Sequence, residues 1–436
     1  PMTRNAQPRR PAPARRVAPP RRPAPTRGVR TKPARQRFDT KLMRDRLESL
    51  LATVFTNQSR DYNWLMVLTI GLTFFGLTMV LSSSAVDSVK STGDVWFRFL
   101  RQAGLAAAGL TALVAIVRIG TGFIFRFVNL WFVIAIVVQA LTFLPGIGMA
   151  AGNNRSWISI AGFSLQPAEF TKIALILVLA VWLIDREGAS NNWRFPIIGT
   201  VTLPIVASLV LIAGGQDLGT TGIVVIIVVG MLFIYGISWS EIWMPLMAIV
   251  GAALVYLTIG GSRIPRIYYW ANPDADIAQT YTYQPIHGTW ALAGGQLFGV
   301  GLGNSKIKWS WLPEAENDFI FAVIGEELGL IGAIGVVLAF VAMAVILFNI
   351  YKRTPDPRKQ LVVAGVLIYL VFQAMVNIAV VARIAPVLGV PLPLISAGGS
   401  SILSSLMAVG LVLAIERENH ASGVRSVPTV RRRGTR

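Results

Sequence analysis

Residues 222–235 read GIVVIIVVGMLFIY, a run with no charged residue and no alternation of polar and apolar side chains. A strand of a membrane barrel would alternate lipid-facing and lumen-facing residues along its length. An unbroken apolar run reads instead as part of a helix that is apolar on every side. Outward from this run, similar stretches lie near residues 63–83, 99–118, 127–145, 168–184, 196–213, 219–236, 241–260, 320–350, 361–382 and 400–415. Each approaches or exceeds the length that crosses a hydrocarbon core of ~30 Å. The expected fold class is therefore all-α, a polytopic membrane protein with ten transmembrane helices. Composition agrees, with 54% hydrophobic and only 14% charged residues in 436 and a mean hydropathy of +0.59.

The net charge of +19 suggests nucleic acid until it is located. Residues 1–60 hold 16 Lys/Arg against Asp39, Asp45 and Glu48, and residues 417–436 hold six against Glu418. The membrane body is nearly neutral. Basic tails of this kind suit anionic lipid headgroups or an acidic partner, and no folded basic module accompanies them, so nucleic acid is not expected. Residues 1–38, rich in Arg, Pro and Ala, are expected to be disordered. No apolar segment or cleavage site follows promptly, so they do not read as a signal peptide. The expected organisation is a basic tail with a juxtamembrane segment over 1–62, a ten-helix domain over 63–416, and a second basic tail over 417–436. The absence of Cys excludes a disulfide framework and thiolate chemistry, and His287 and His420 alone cannot form a zinc site.

Placing both tails in the cytoplasm puts 30 of the 40 Lys/Arg inside, among them Arg118, Arg126, Arg186, Arg194, Lys352, Arg353, Arg358 and Lys359 in short loops. The positive-inside rule favours this orientation. A large outer loop, 261–318, then separates helices 7 and 8. The even-numbered helices start at the outer face, and the distinctive motifs sit at those starts. These are Gln166-Pro167-Ala168-Glu169, Gln216-Asp217-Leu218-Gly219-Thr220, Asn317-Asp318 and Gly398-Gly399-Ser400-Ser401. Free N–H groups and the positive end of the dipole make each start an anion site. Four around one cavity would suit a phosphorylated lipid headgroup.

Asp318 opens the eighth helix in LPEAENDFIFAVIGEELG (312–329). Asp is a favoured helix cap. Yet Glu314, Glu316, Glu326 and Glu327 crowd the same boundary, and like charges raise a carboxylate toward the range of a general base. Glu169 and Lys172 are three apart and can pair, and a cation inside an apolar run wants a partner. Arg155, beside Trp157, could anchor at the interface or grip phosphate in bidentate fashion. Arg263, Arg266 and Arg383 admit the same two readings. The glycines at 294, 295, 299, 301 and 303 lack the strand and the Gly-Lys-Ser/Thr of a nucleotide site, and fit close backbone approach better.

QPAEFTK (166–172), QDLGTTG (216–222), ALAGGQLFGVGLGNSKIKWSWLPEAENDFIFAVIGEELGLIG (291–332) and FQAMVNIAVVARIAPVLGVPLPLISAGGSS (372–401) resemble the SEDS family, the shape, elongation, division and sporulation proteins of bacteria. The wording around Asp318 is closer to the division members than to the elongation members. The resemblance implies a peptidoglycan glycosyltransferase that polymerises lipid II at the outer face of the bacterial cytoplasmic membrane, at the division septum. It implies a class B penicillin-binding protein and other divisome proteins as partners. It gives Asp318 the catalytic role and matches Arg155, Glu169 and Lys172 to family positions, with Asp217, Ser400 and Ser401 as further substrate-binding candidates. No metal ligand and no cofactor is assigned, although a divalent cation such as Mg or Mn could share the pyrophosphate charge. The chain departs from the family pattern at Glu316-Asn317, where His-Thr is usual, at Gly215-Gln216, at Ala397 in place of Tyr, and at Arg383 in place of Gly. The rival reading is a lipid II flippase, which would need ionisable or broken-helix features near mid-membrane.

Overall fold

The computed structural model describes residues 58–151, 154–160, 163–185, 194–237, 263–275, 281–308, 312 and 314–423. The expected seventh span, 241–260, nearly all of the N-terminal tail and residues 424–436 of the C-terminal tail lie outside these residues. Thirteen helices are described: α1 (Arg60–Thr92), α2 (Phe97–Ile119), α3 (Thr121–Arg126), α4 (Val128–Ala140), α5 (Pro167–Asp185), α6 (Arg194–Gly214), α7 (Leu218–Tyr235), α8 (Arg263–Ala271), α9 (Tyr283–Gly294), α10 (Ile320–Arg353), α11 (Pro357–Leu367), α12 (Gln373–Val381) and α13 (Gly399–Ala421). A π-helical turn, Ile368–Phe372, joins α11 to α12, so that Pro357–Val381 runs as one span. Among the described residues seven helices are long and apolar enough to cross a membrane, and Val128–Phe143 and Val201–Gly214 are shorter apolar helices. Nine of the ten expected apolar stretches thus fall on helices.

Local sequence sets the ends. Ser59 caps α1 by accepting from Tyr62 N–H at 3.1 Å, and Gly93 closes it in the left-handed conformation. Asp356 caps α11, with Pro357 in its first turn. Between helices, small residues let backbones meet, as is usual in lipid. A Cβ on Gly410 would lie 3.0 Å from Leu113 Cα, and one on Gly76 only 2.6 Å from Ile395 Cα.

Two features differ from the all-helical expectation. The segment leading to α5 folds as a small antiparallel sheet, β1 (Gly148–Ala151), β2 (Asn154–Ile160) and β3 (Phe163–Leu165), in the order β1-β2-β3. Gly148 pairs with Ile158, and Ile158 with Leu165. The expected outer loop also carries α8 and α9, and its glycine string folds against a break in α10. Gly329 leaves the helix at φ 69°, and Val300 and Gly301 N–H donate to the carbonyls of Glu326 and Glu327, each at 3.0 Å. A Cβ on Gly299 would sit 2.1 Å from Glu327 O, so the string does serve close backbone approach. The fold it permits seals Glu326 and Glu327. Ser305 Oγ and Lys306 N–H donate to Glu326, Ser82 Oγ donates to Glu327, and Lys308 Nζ lies 3.8 Å from Glu327.

Candidate active site at four helix starts

The N-terminal ends of α5, α7, α10 and α13 converge on one cavity of about 530 Å³. Gln166, Asp217, Asp318, Ser400 and Ser401 line it, joined by Glu314, Asn317, Arg266 from α8 and the wall 386–391. Four motifs that are far apart in sequence therefore meet in space. Gln166 ties three of them together. Its backbone N–H donates to Ser400 Oγ at 2.8 Å, and its side-chain amide donates to Asp217 Oδ2 at 2.7 Å. Asp217 also caps α7, accepting from Thr220 N–H at 3.0 Å. Gln216 and Glu314, both on the lining, hold left-handed backbones at φ 67° and 56°, a costly conformation for residues other than glycine.

Asp318 differs from its neighbours. Its carboxylate accepts no hydrogen bond from a described residue, while its backbone carbonyl is held by Asn377 Nδ2 at 2.8 Å. Burial pushes the carboxyl up from the usual 3.8 to about 7, and the charges of Glu314 and Asp217 add to the rise. Burial also raises Asp217 and Glu316. A carboxylate free of donors that titrates near neutrality can take a proton at physiological pH.

The other expected site residues are placed differently. Lys172 and Glu169 are not on the lining. Both are buried in α5, where Lys172 Nζ donates to Glu169 at 2.7 Å and to Gln373 Oε1 at 2.6 Å and lies 4.4 Å from the Tyr369 ring centre. Glu169 also accepts from Tyr369 OH at 2.9 Å and Ser404 Oγ at 3.0 Å. Arg155 is exposed on β2 between the lining residues Asn154 and Trp157, and its N–H donates to Gly215 O at 2.8 Å. Of the family departures, Glu316 pairs with Arg98 at the start of α2. Arg383 sits at φ 58°, which is the physical reason a glycine is usual there. Among the described residues no three His, Cys, Asp or Glu side chains gather as metal ligands.

Gln373 and Asn377 were not singled out from the sequence. Two amides four apart in an apolar run were the available signal, since polar side chains within lipid seek partners. A separate, almost wholly apolar cavity of about 410 Å³ lies along α5. Pro167, Phe170, Ile173 and Leu177 of α5 line it with Trp131 and Met407, and it begins one residue from Gln166 of the polar cavity.

Fold and site together define a polytopic helical membrane protein whose chemistry gathers where four helices begin. The profile of the FtsW, RodA and SpoVE cell cycle proteins matches residues 63–421, and the chain belongs to that family. It is 38% identical over 341 residues to the probable peptidoglycan glycosyltransferase FtsW of Mycobacterium tuberculosis, covering 78% of this chain and 65% of that protein. It is 34% identical over 354 residues to stage V sporulation protein E of Bacillus subtilis, covering 81% and 96%. The chain thus spans about two thirds of the length of its mycobacterial relative and nearly all of the Bacillus one. Among solved structures, a chain of a peptidoglycan synthase complex aligns with TM-score 0.66 at 22% identity, over 84% of this chain and 99% of that one. The rod shape determining protein RodA of Thermus thermophilus aligns with TM-score 0.60 at 23% identity, over 84% and 98%. Both likenesses concern the fold.

Proposed function

We propose that the chain is a peptidoglycan glycosyltransferase that polymerises lipid II at the outer face of the cytoplasmic membrane during septal wall synthesis. Asp318 takes the proton from the 4-hydroxyl of an acceptor lipid II sugar. The freed oxygen attacks the anomeric carbon of the growing chain from the face opposite the leaving group. The bond to undecaprenyl pyrophosphate breaks, and the configuration at that carbon inverts. The observation that carries this reading is the Asp318 carboxylate, facing a polar cavity without a donor and raised to about 7. The helix starts around it suit a strongly anionic leaving group, with Arg155 and Arg266 as the nearby cations. The apolar cavity along α5 suits the chain of a lipid-linked substrate. Ten spans, cytoplasmic tails and a class B penicillin-binding protein as transpeptidase partner complete the proposal.

The flippase reading needs ionisable or broken-helix features able to escort pyrophosphate through the bilayer. The α10 break carries Glu326 and Glu327, but these are taken up by Ser305, Lys306 and Ser82. Lys172, inside α5, is taken up by Glu169 and Gln373. In detergent micelles translocation has no meaning, so extension of labelled lipid II by the purified protein, with and without its transpeptidase partner, separates the two. Asp318→Asn should cut that extension by ~10²–10⁴ while the protein still elutes as a folded species. Near-normal polymer from the Asn variant would sink the assignment.

A further inference from the structure

Three consecutive carbonyls lead into Asp318, and each is held by a different donor. Ala397 N–H donates to Glu316 O at 2.9 Å, Ser396 Oγ to Asn317 O at 2.8 Å, and Asn377 Nδ2 to Asp318 O at 2.8 Å. The carboxylate is thus aimed through its backbone while its own oxygens stay free. The amide of Asn377 also donates to Val390 O at 2.7 Å. Next to Val390, Gly389 faces the base, because a Cβ there would lie 3.4 Å from Asp318 Oδ2. One side chain therefore spans from the base to the wall opposite it.

One turn earlier, Gln373 Nε2 donates to Pro391 O at 3.0 Å, and Gln373 Oε1 accepts from Lys172. The wall hangs from two amides on one helix face, and the Lys172–Glu169 pair holds the first of them. Asn377 is 1% exposed, and its Oδ1 is buried without a partner among the described residues. Such an orphaned acceptor is a cost to the fold. A residue needed only to fill space here would be apolar.

We propose that Asn377 is the positioning residue of this site: its amide fixes the Asp318 base against the Gly389–Pro391 wall, with Gln373 and the Lys172–Glu169 pair bracing that wall. The inference rests on the reading of Asp318 as general base. The charged groups facing Asp318 are Glu314 on its own segment, Asp217 at the start of α7 and Arg266 of α8, while residues 386–391 and α12 bring none. Loss of the Asn377 donors frees the Asp318 backbone and lets water reach the carboxylate. Its proton is then lost at lower pH.

The test compares the purified full chain with Asn377→Leu, which keeps the branched outline of the side chain in a larger residue and drops both donors, using labelled lipid II in detergent. The variant should show kcat lower by about 10²-fold, KM little changed, and the acid limb of the pH–rate profile moved to lower pH. A merely structural role would scale the rate equally at every pH by the folded fraction. Infrared titration of the Asp318 carboxyl, assigned by its disappearance in Asp318→Asn, reads the same shift without turnover. An unchanged acid limb and an unchanged infrared titration in Asn377→Leu overturn the proposal. An infrared shift in a protein whose wild type makes no polymer would keep the clamp and sink the polymerase reading instead.

Discussion

Asp318 and Glu169 are both carboxylates near the N-terminal ends of helices, and the protein treats them in opposite ways. Glu169 is closed in by a lysine, a tyrosine and a serine, with every partner within 3.0 Å. Asp318 faces a cavity with no donor from the described residues on its oxygens, in a segment whose neighbour Glu314 carries a left-handed backbone. A fully paired buried charge holds helices in place. A charge left incomplete at an open cavity is a cost the fold carries for something else. What separates brace from reactive group is hydrogen-bond completeness, and sequence position does not reveal it.

The sharpest way to break this contrast is to remove one half of the closed pair. Lys172→Met leaves Glu169 buried with no cation, a change worth about 3–5 kcal/mol. The melting temperature in detergent should fall accordingly, and Lys172→Met combined with Glu169→Leu should recover much of the loss. If the single variant melts like wild type, the pair is not the brace its geometry indicates.

A smaller effect separates Asp318 by its titration. Its folded-state value, about 7, lies above the ordinary 3.8. The raised value means that the stabilising contribution of the protonated form is present below about pH 4 and is lost as pH rises toward 7. Stability of wild type relative to Asp318→Asn should therefore fall across that window, by on the order of 2–4 kcal/mol. Parallel stability curves for the two proteins would show that Asp318 is not held in a destabilised ionised state. The smallest change is expected at the rim. Arg98→Ala removes the partner of the largely buried Glu316, but Arg98 itself is about one-third exposed, so the loss in stability should be about 1–2 kcal/mol, less than for Lys172→Met.

Much of this arrangement was legible in the sequence because its cause is local. Apolar runs announce helices, and polar residues at their starts, such as Gln166, Asp217, Asp318 and Ser400, announce the ends that meet. The small sheet was not legible, since strands of four, seven and three residues are too short for alternation to show. The sealing of Glu326 and Glu327 was hidden as well. It depends on glycines some thirty residues upstream folding back onto a helix break, and no helical period records that. Nor could sequence tell that Lys172 turns toward Gln373. An ion pair three residues apart looks the same whether it faces a substrate or a neighbouring helix.

The π-helical turn at Ile368–Phe372 has its own consequence. In a helix of uniform pitch, each four-residue step rotates the side chain by about 40°, so Tyr369, Gln373 and Asn377 would drift away from a common line. Tyr369 meets Glu169, Gln373 meets Lys172 and Pro391, and Asn377 meets Asp318 and Val390. The wider turn takes back part of that drift, in the way π-bulges often serve functional sites. The alignment of brace, wall and base is therefore written partly in how many residues the helix contains, a quantity that the chemical identity of its side chains does not carry.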